Sequence, residues 1–315
     1  MNFPVLRSIH EWTATFGSLD RTVLTVGNFD GIHRGHQKIL QLLVAQARAN
    51  RQRSAVITFD PHPFRLLRPE HAPRMIQTLE QRLQGFQTAG VNAALVLRFD
   101  REFSLLSAEQ FIQDILIGCL HVGTIMVGEN FCFGHRGAGN VPLLQEYGRK
   151  NDFAVITIPA LEVNGRIVSS TSIRNAISAG DVAEATSFLG RPFALTGKIE
   201  HGAGRGRTIL FPTLNLAPEQ ELLPKLGVYA TESLIGGRMY SSVTNVGTRP
   251  TFDGRGVTVE SHLFGFAEEI SEGRMEVRFH ARLRDEQKFF GADQLRAQIA
   301  RDIESAREYF SVKRH

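Results

Sequence analysis

Two histidines three residues apart, His33 and His36, flank Gly35 and follow the turn-rich run Gly27-Asn28-Phe29-Asp30-Gly31. Residues three apart around a helix start share a face, and each imidazole can donate an N–H to an oxyanion. A helix beginning here adds unpaired backbone N–H groups and the positive end of its dipole. Glycines without a Cβ let the backbone approach a nucleotide closely. The chemistry that this spacing suits is phosphate binding. No Lys-Ser/Thr pair follows the glycines, so the loop is not a P-loop. Nor does it carry the G-x-G-x-x-G dinucleotide fingerprint.

Such a loop needs a strand before it and a helix after it. The apolar run at 23–26 supplies the strand, and Ile39, Leu40, Leu42, Leu43 and Ala47 give residues 35–50 a broad apolar helical face. Further strands are expected at 54–59, 94–99, 124–127 and 153–158, with helices at 79–89, 107–119 and 142–151 between them. This alternation predicts an α/β doubly wound, mainly parallel sheet, in which ligands bind beyond the carboxyl ends of the strands. Three post-strand loops would converge there: the histidine loop, Asp60-Pro61-His62-Pro63, and residues 128–134. In the last, Phe131 and Phe133 could stack on a planar ring or simply pack the core, while Asn130 reads polar edges. A fourth loop, residues 166–174, sets hydroxyls ahead of a helix as caps. That leaves Arg174 in the first turn, where a cation opposes the dipole and a bound anion would explain it. The helix is expected to end at Gly180, and the next to run from Asp181 and Glu184 to about Gly190.

Past Arg191-Pro192 the texture changes to short alternating runs at 193–200, 227–235, 239–246, 257–264 and 275–283, separated by glycine-containing turns. These predict a small antiparallel barrel. Leu295, Ile299, Ile303, Ala306 and Phe310 form one helical stripe, expected to pack on it. Between the first two runs lies a basic, glycine-rich stretch that includes Gly204 and Arg207 and suits nucleotide phosphates.

At 315 residues two domains are the expectation. A net charge of +4 suits small anionic substrates, and no cluster of five or six basic residues points to nucleic acid. Cys119 and Cys132 make no disulfide framework or metal spacing, which fits a reducing cytoplasm. No run approaches the ~20 apolar residues of a membrane span, and the first twelve residues lack a secretory core. A homo-oligomer is compatible with this composition.

The motifs VGNFDGIHRGH, TFDPHP, VGENFCFG with the following Gly137, and SSTSIR resemble, in this order, the FMN adenylyltransferase module of the prokaryotic bifunctional riboflavin kinase/FMN adenylyltransferase (FAD synthetase) family. Downstream, Phe211-Pro212-Thr213-Leu214-Asn215, the stretch 245–252, Val259-Glu260-Ser261-His262 and the stretch 283–289 resemble that family's riboflavin kinase module, a six-stranded barrel. The resemblance implies a Rossmann-like nucleotidylyltransferase domain over 1–187 and a kinase domain over 188–315. It implies that riboflavin and ATP give FMN, and that FMN and ATP then give FAD and pyrophosphate, with Mg²⁺ as cofactor.

It also implies roles. His33 and His36 would contact the ATP phosphates, with Gly27, Asn28, Phe29, Asp30 and Gly35 around the nucleotide and Ser170, Thr171 and Arg174 closing over it. Asp60, His62, Asn130, Phe133 and Arg284 would meet flavin. In the kinase half Gly204 and Arg207 would hold ATP, Thr213 and Asn215 would bind Mg²⁺, and Glu260 would be the base. The chain departs from the family pattern at Leu210, usually Gly, at Leu214, usually Ala, and at 269–273, where Leu-Tyr-Gly is expected. These departures motivate an alternative, an adenylyltransferase alone whose degenerate kinase barrel serves as a flavin-binding or regulatory module. A flavin-sensing or nucleic-acid-binding regulator has only the basic pI behind it.

Overall fold

Successive residues of a strand point to opposite faces of its sheet, so a strand covered on both faces is apolar throughout. Val23 packs on one side of the first sheet with Leu40, Leu43 and Phe86, while Leu24 and Val26 pack on the other with Trp12, Phe111 and Leu144. The computed structural model describes residues 3–17, 20–200, 212–251, 254–268, 270 and 272–313. It divides into two compact units, Met1–Val168 and Ser169–His315.

The first unit runs β1 (Val5–Leu6), α1 (Ile9–Phe16), β2 (Thr22–Val26), α2 (Arg34–Asn50), β3 (Arg53–Phe59), α3 (Phe64–Leu67), α4 (Leu79–Thr88) and β4 (Ala93–Leu97). It continues through α5 (Arg101–Ser104), α6 (Ala108–Gln110), β5 (Val122–Gly128), α7 (Val141–Asn151), β6 (Ala154–Ile158) and the hairpin β7 (Glu162–Val163) and β8 (Arg166–Ile167). The six long-range strands pair in parallel in the order β1-β4-β3-β2-β5-β6. Strand order reverses between β2 and β5, which makes the crevice beyond their carboxyl ends the place for a ligand. The doubly wound expectation holds. The helix expected at 107–119 is short α6 followed by a π-helical stretch, Phe111–Cys119.

The second unit opens with α8 (Ser170–Ala179) and α9 (Val182–Leu189), which end on left-handed Gly180 and Gly190 as expected. Ser169 caps α8 and accepts the Ser172 N–H, so Arg174 is the fifth helical residue. It therefore opens the second turn, not the first as the hydroxyl run suggested, because the last serine before the helix is the cap. Six strands follow: β9 (Phe193–Glu200), β10 (Leu214–Pro218), β11 (Gly227–Ile235), β12 (Arg238–Thr251), β13 (Gly254–Leu263) and β14 (Arg274–Arg284). They close an antiparallel barrel in the order β10-β13-β12-β11-β14-β9. Gly236 and Gly237, at φ 56° and 80°, form the two-residue turn between β11 and β12 that a twisted hairpin requires. Within the barrel, Thr231, Ser242, Thr244 and Ser261 satisfy one another in a chain of buried hydroxyls. Helix α10 (Ala292–Lys313) lays Ile303, Ala306 and Phe310 against Val228, Ala230 and Val243, so the expected stripe is its packing face.

Candidate active sites

The histidine loop is built by its own side chains. His33 is the N-cap of α2, and its Nδ1 accepts the His36 backbone N–H at 3.3 Å. A neutral His33 holding that bond carries its proton on Nε2 and keeps a donor for another partner. The two imidazoles stack with centroids 3.6 Å apart. Burial, and then the charge of His33, holds the His36 pKa well below the usual imidazole value, and its Nδ1 is buried without a hydrogen-bond partner among the described residues. The His36 ring is thus suited to donate as a neutral group, and capping leaves Nε2–H of His33 as a donor.

Before the helix the backbone is strained: Phe29, Gly31 and Ile32 have φ of 50°, 86° and 36°. Buried neighbours hold this conformation. Phe29 packs on Phe86 and on His36. Asp30, 2% exposed, accepts the N–H groups of Ile76 and Gln77 at 3.1 Å. Its carboxylate fastens the loop from behind and lines neither cavity described below. Behind Asn28 lies Arg82, also 2% exposed, whose Nη1 donates to the Asn28 carbonyl at 2.8 Å and to Thr58 Oγ1 at 3.1 Å.

The Asn28 carboxamide meets His62 Nε2 at 3.1 Å, and His62 Nδ1 accepts the Phe64 N–H. A neutral His62 then has its proton on Nε2, and hydrogen-bond logic turns the amide oxygen of Asn28 toward it. The first two post-strand loops are joined by this contact. The Asp60 side chain is exposed.

Two cavities open beyond the strand ends. The smaller, about 260 Å³, lies at the β2–β5 reversal between Gly27, His33, Gly35 and His36 on one side and Asn130 and Ala160 on the other. The larger, about 690 Å³, is walled by Phe59, Phe64, Phe99, Phe103, Phe111, Phe131 and Phe133. Both share Val26, Gly27 and Phe131. Phe133 fills both roles weighed for it: it is buried, 5.4 Å from Phe111, and it still lines the cleft. Asn130 borders the small crevice and not the aromatic cleft. Five of the aromatic walls escaped the sequence reading, although Phe59 and Phe99 each stand at or just past a strand's carboxyl end.

The remaining candidates lie elsewhere. Ser170, Thr171 and Arg174 stand on α8, in the second unit. Arg284, expected with the flavin residues, ends β14 in that same unit, where its Nε and Nη2 grip the Asp302 carboxylate of α10 at 2.8 and 2.7 Å. Thr213 directly precedes β10, and Asn215, Glu260 and Asn245 are register partners across β10, β13 and β12. His262 Nδ1 donates to the Pro212 carbonyl and fixes the segment that leads to Thr213. Gly204, Arg207 and Leu210 lie outside the described residues.

The FAD synthetase family model matches residues 17–172, and the riboflavin kinase model matches 189–310. A bifunctional riboflavin kinase/FMN adenylyltransferase of Escherichia coli strain K12 is 38% identical over 309 residues, covering 98% of each chain. This chain belongs to that family. The family's member from Pseudomonas fluorescens is 37% identical over 294 residues, covering 93% of this chain and 94% of its own. A crystal structure from Streptococcus pneumoniae, named as a macrolide-efflux protein, superposes with a TM-score of 0.88 at 31% identity, covering 98% of this chain and 99% of that one. Among the described residues no helix is long and apolar enough to cross a membrane.

Proposed function

We propose that the chain carries both activities of its family: ATP-dependent phosphorylation of riboflavin to FMN by the residues from 188 onward, and adenylylation of FMN to FAD by residues 1–187. The observation that carries the adenylylation reading is the common wall of the two cavities, Val26, Gly27 and Phe131. An isoalloxazine stacked in the aromatic cleft would hold its phosphate toward the crevice of His33 and His36.

The transfer needs no protein nucleophile. An oxygen of the FMN phosphate attacks the α-phosphorus of ATP, the new P–O bond forms as the bond to pyrophosphate breaks, and positioning with charge stabilisation carries the rate. His33, with Nδ1 engaged by the helix, offers Nε2–H to a phosphate oxygen; neutral His36 offers a second donor. Gly27 and Asn28 hold the loop in place. Asn130 lines the crevice, and His62 braces the carboxamide of Asn28 in the loop.

In the kinase half, Glu260 takes the proton from the ribityl hydroxyl as that oxygen attacks the γ-phosphorus of ATP and ADP leaves. The Thr213 hydroxyl and Asn215 carboxamide are hard oxygen donors that fit Mg²⁺, and no group of three His, Cys, Asp or Glu side chains among the described residues offers another metal site. Thr213 and Asn215 would hold Mg²⁺ there, and the ion would supply positive charge to the phosphates. Leu214 faces Ser261 and leaves Asn215 opposite Glu260, so this departure does not favour a degenerate barrel. We place the enzyme in the cytoplasm, acting on riboflavin, FMN and ATP, with no nucleic-acid partner.

The test is to incubate the protein with ATP, Mg²⁺ and either riboflavin or FMN and to separate the flavins by chromatography. The proposal expects FMN and FAD from the first mixture and FAD from the second. No FAD from either would overturn the adenylylation reading, and no FMN from riboflavin would overturn the kinase reading.

A further inference from the structure

A cation buried without a carboxylate hydrogen-bonded to it is costly, because a carbonyl and a hydroxyl replace only part of its hydration. Arg82 is such a cation, and it is the only arginine or lysine among the buried side chains of the described residues. Its hydrogen-bond partners are the Asn28 carbonyl and Thr58 Oγ1, and its Nε has none. The nearby carboxylate of Asp30 attracts the guanidinium without accepting a hydrogen bond from it, its oxygens taking the backbone N–H groups of residues 76 and 77. Asp60, the other acidic neighbour, is exposed to solvent.

The place of this charge matters. Asn28 follows Gly27, which lines both cavities, so the guanidinium lies one peptide behind the floor of the crevice. His36 in that crevice is buried, its Nδ1 has no hydrogen-bond partner among the described residues, and its pKa is lowered chiefly by burial, so a polyphosphate bound there meets little charge from it. From these observations we infer that Arg82 is an electrostatic positioning residue for adenylyl transfer. It holds the peptide of Asn28 in place and supplies, from behind the loop, positive charge that a bound triphosphate balances. The inference rests on the adenylyltransferase reading above. It explains why an arginine stands where an apolar side chain would fill the space without the desolvation penalty.

Arg82→Met keeps most of the volume and removes the charge; Arg82→Lys keeps the charge and loses the fork. Steady-state FAD formation from FMN, with riboflavin phosphorylation by the same preparations as an internal standard, separates the possibilities. The expected result is a loss of roughly 30- to 100-fold in kcat/KM for ATP with Met and about 5-fold with Lys. The KM for FMN should move less than about 3-fold, because the aromatic cleft is untouched. A purely structural Arg82 would leave Lys as impaired as Met, or would lower FAD formation only in step with the amount of folded protein. Either result overturns the proposal, as does a Met variant within about 3-fold of the wild type. If the Met variant fails to fold, the Lys variant decides alone: a loss of about 30-fold or more contradicts the proposal. A wild-type protein that makes no FAD removes the underlying reading itself and is distinguishable from all of these.

Discussion

The imidazoles of His33 and His36 lie face to face, 3.6 Å between centres and 18° between planes, while the His36 N–H is held by His33 Nδ1. One histidine therefore ends the backbone and begins the site. Capping fixes which nitrogen of His33 remains a donor, and stacking discourages a second charge on His36.

Acid should destabilise the first unit through His36. Its folded pKa is lowered, chiefly by burial and then by His33, so the unfolded chain binds this proton more readily. The stabilisation is complete above the unfolded value of about 6.5 and is lost as pH falls through that value toward the lowered folded one. The melting temperature should drop on the order of 3 °C per pH unit below pH 6.5, and less steeply in His36→Asn. Parallel slopes for the two proteins would contradict the assignment.

Gly35→Ala tests the cap. A Cβ there would stand 3.2 Å from Cε1 and Nδ1 of His33, inside ordinary contact, so the ring must shift. The expected cost is about 1 kcal/mol in stability, measured by denaturant unfolding, together with a roughly tenfold fall in FAD formation. Riboflavin phosphorylation should be unaffected.

Asp30→Ala removes the acceptor of the Ile76 and Gln77 N–H groups from a buried site. Loss of about 3 kcal/mol is expected, with FAD formation falling although the side chain lines neither cavity. An unchanged melting temperature would show that the loop is held by something else.

Phe133→Ala should weaken both core and cleft. Its ring lies 5.4 Å from Phe111 and 5.4 Å from Phe131. We expect roughly 3 kcal/mol of destabilisation and a rise of about tenfold in the KM for FMN. A stability loss with unchanged KM would confine Phe133 to packing.

Much of this was legible along the chain because the signals are local. The parallel strands were apolar runs, Gly180 and Gly190 marked helix ends, and the stripe of α10 had helical spacing. What escaped depends on partners distant in sequence. The two-residue β1 forms only because Val5 and Leu6 pair with Ala94 and Leu95. Strand β10 ends on Pro218, which argues against a strand until the barrel supplies its neighbours. The aromatic cleft gathers phenylalanines from several loops, and no single motif contains them. The bond of Arg284 to Asp302 appears only once α10 folds back on β14. Arg82 sits mid-helix in α4 and gives no sequence signal of its burial.

The most direct measurement crosses one variant of each half with both flavin substrates. His36→Ala should lose at least about 100-fold of FAD formation and keep most riboflavin phosphorylation, whereas Glu260→Gln should stop FMN formation and still adenylylate supplied FMN. That double dissociation is the result the account predicts. If either variant, folded, lost both activities together, the division of the two chemistries between the two halves would be contradicted.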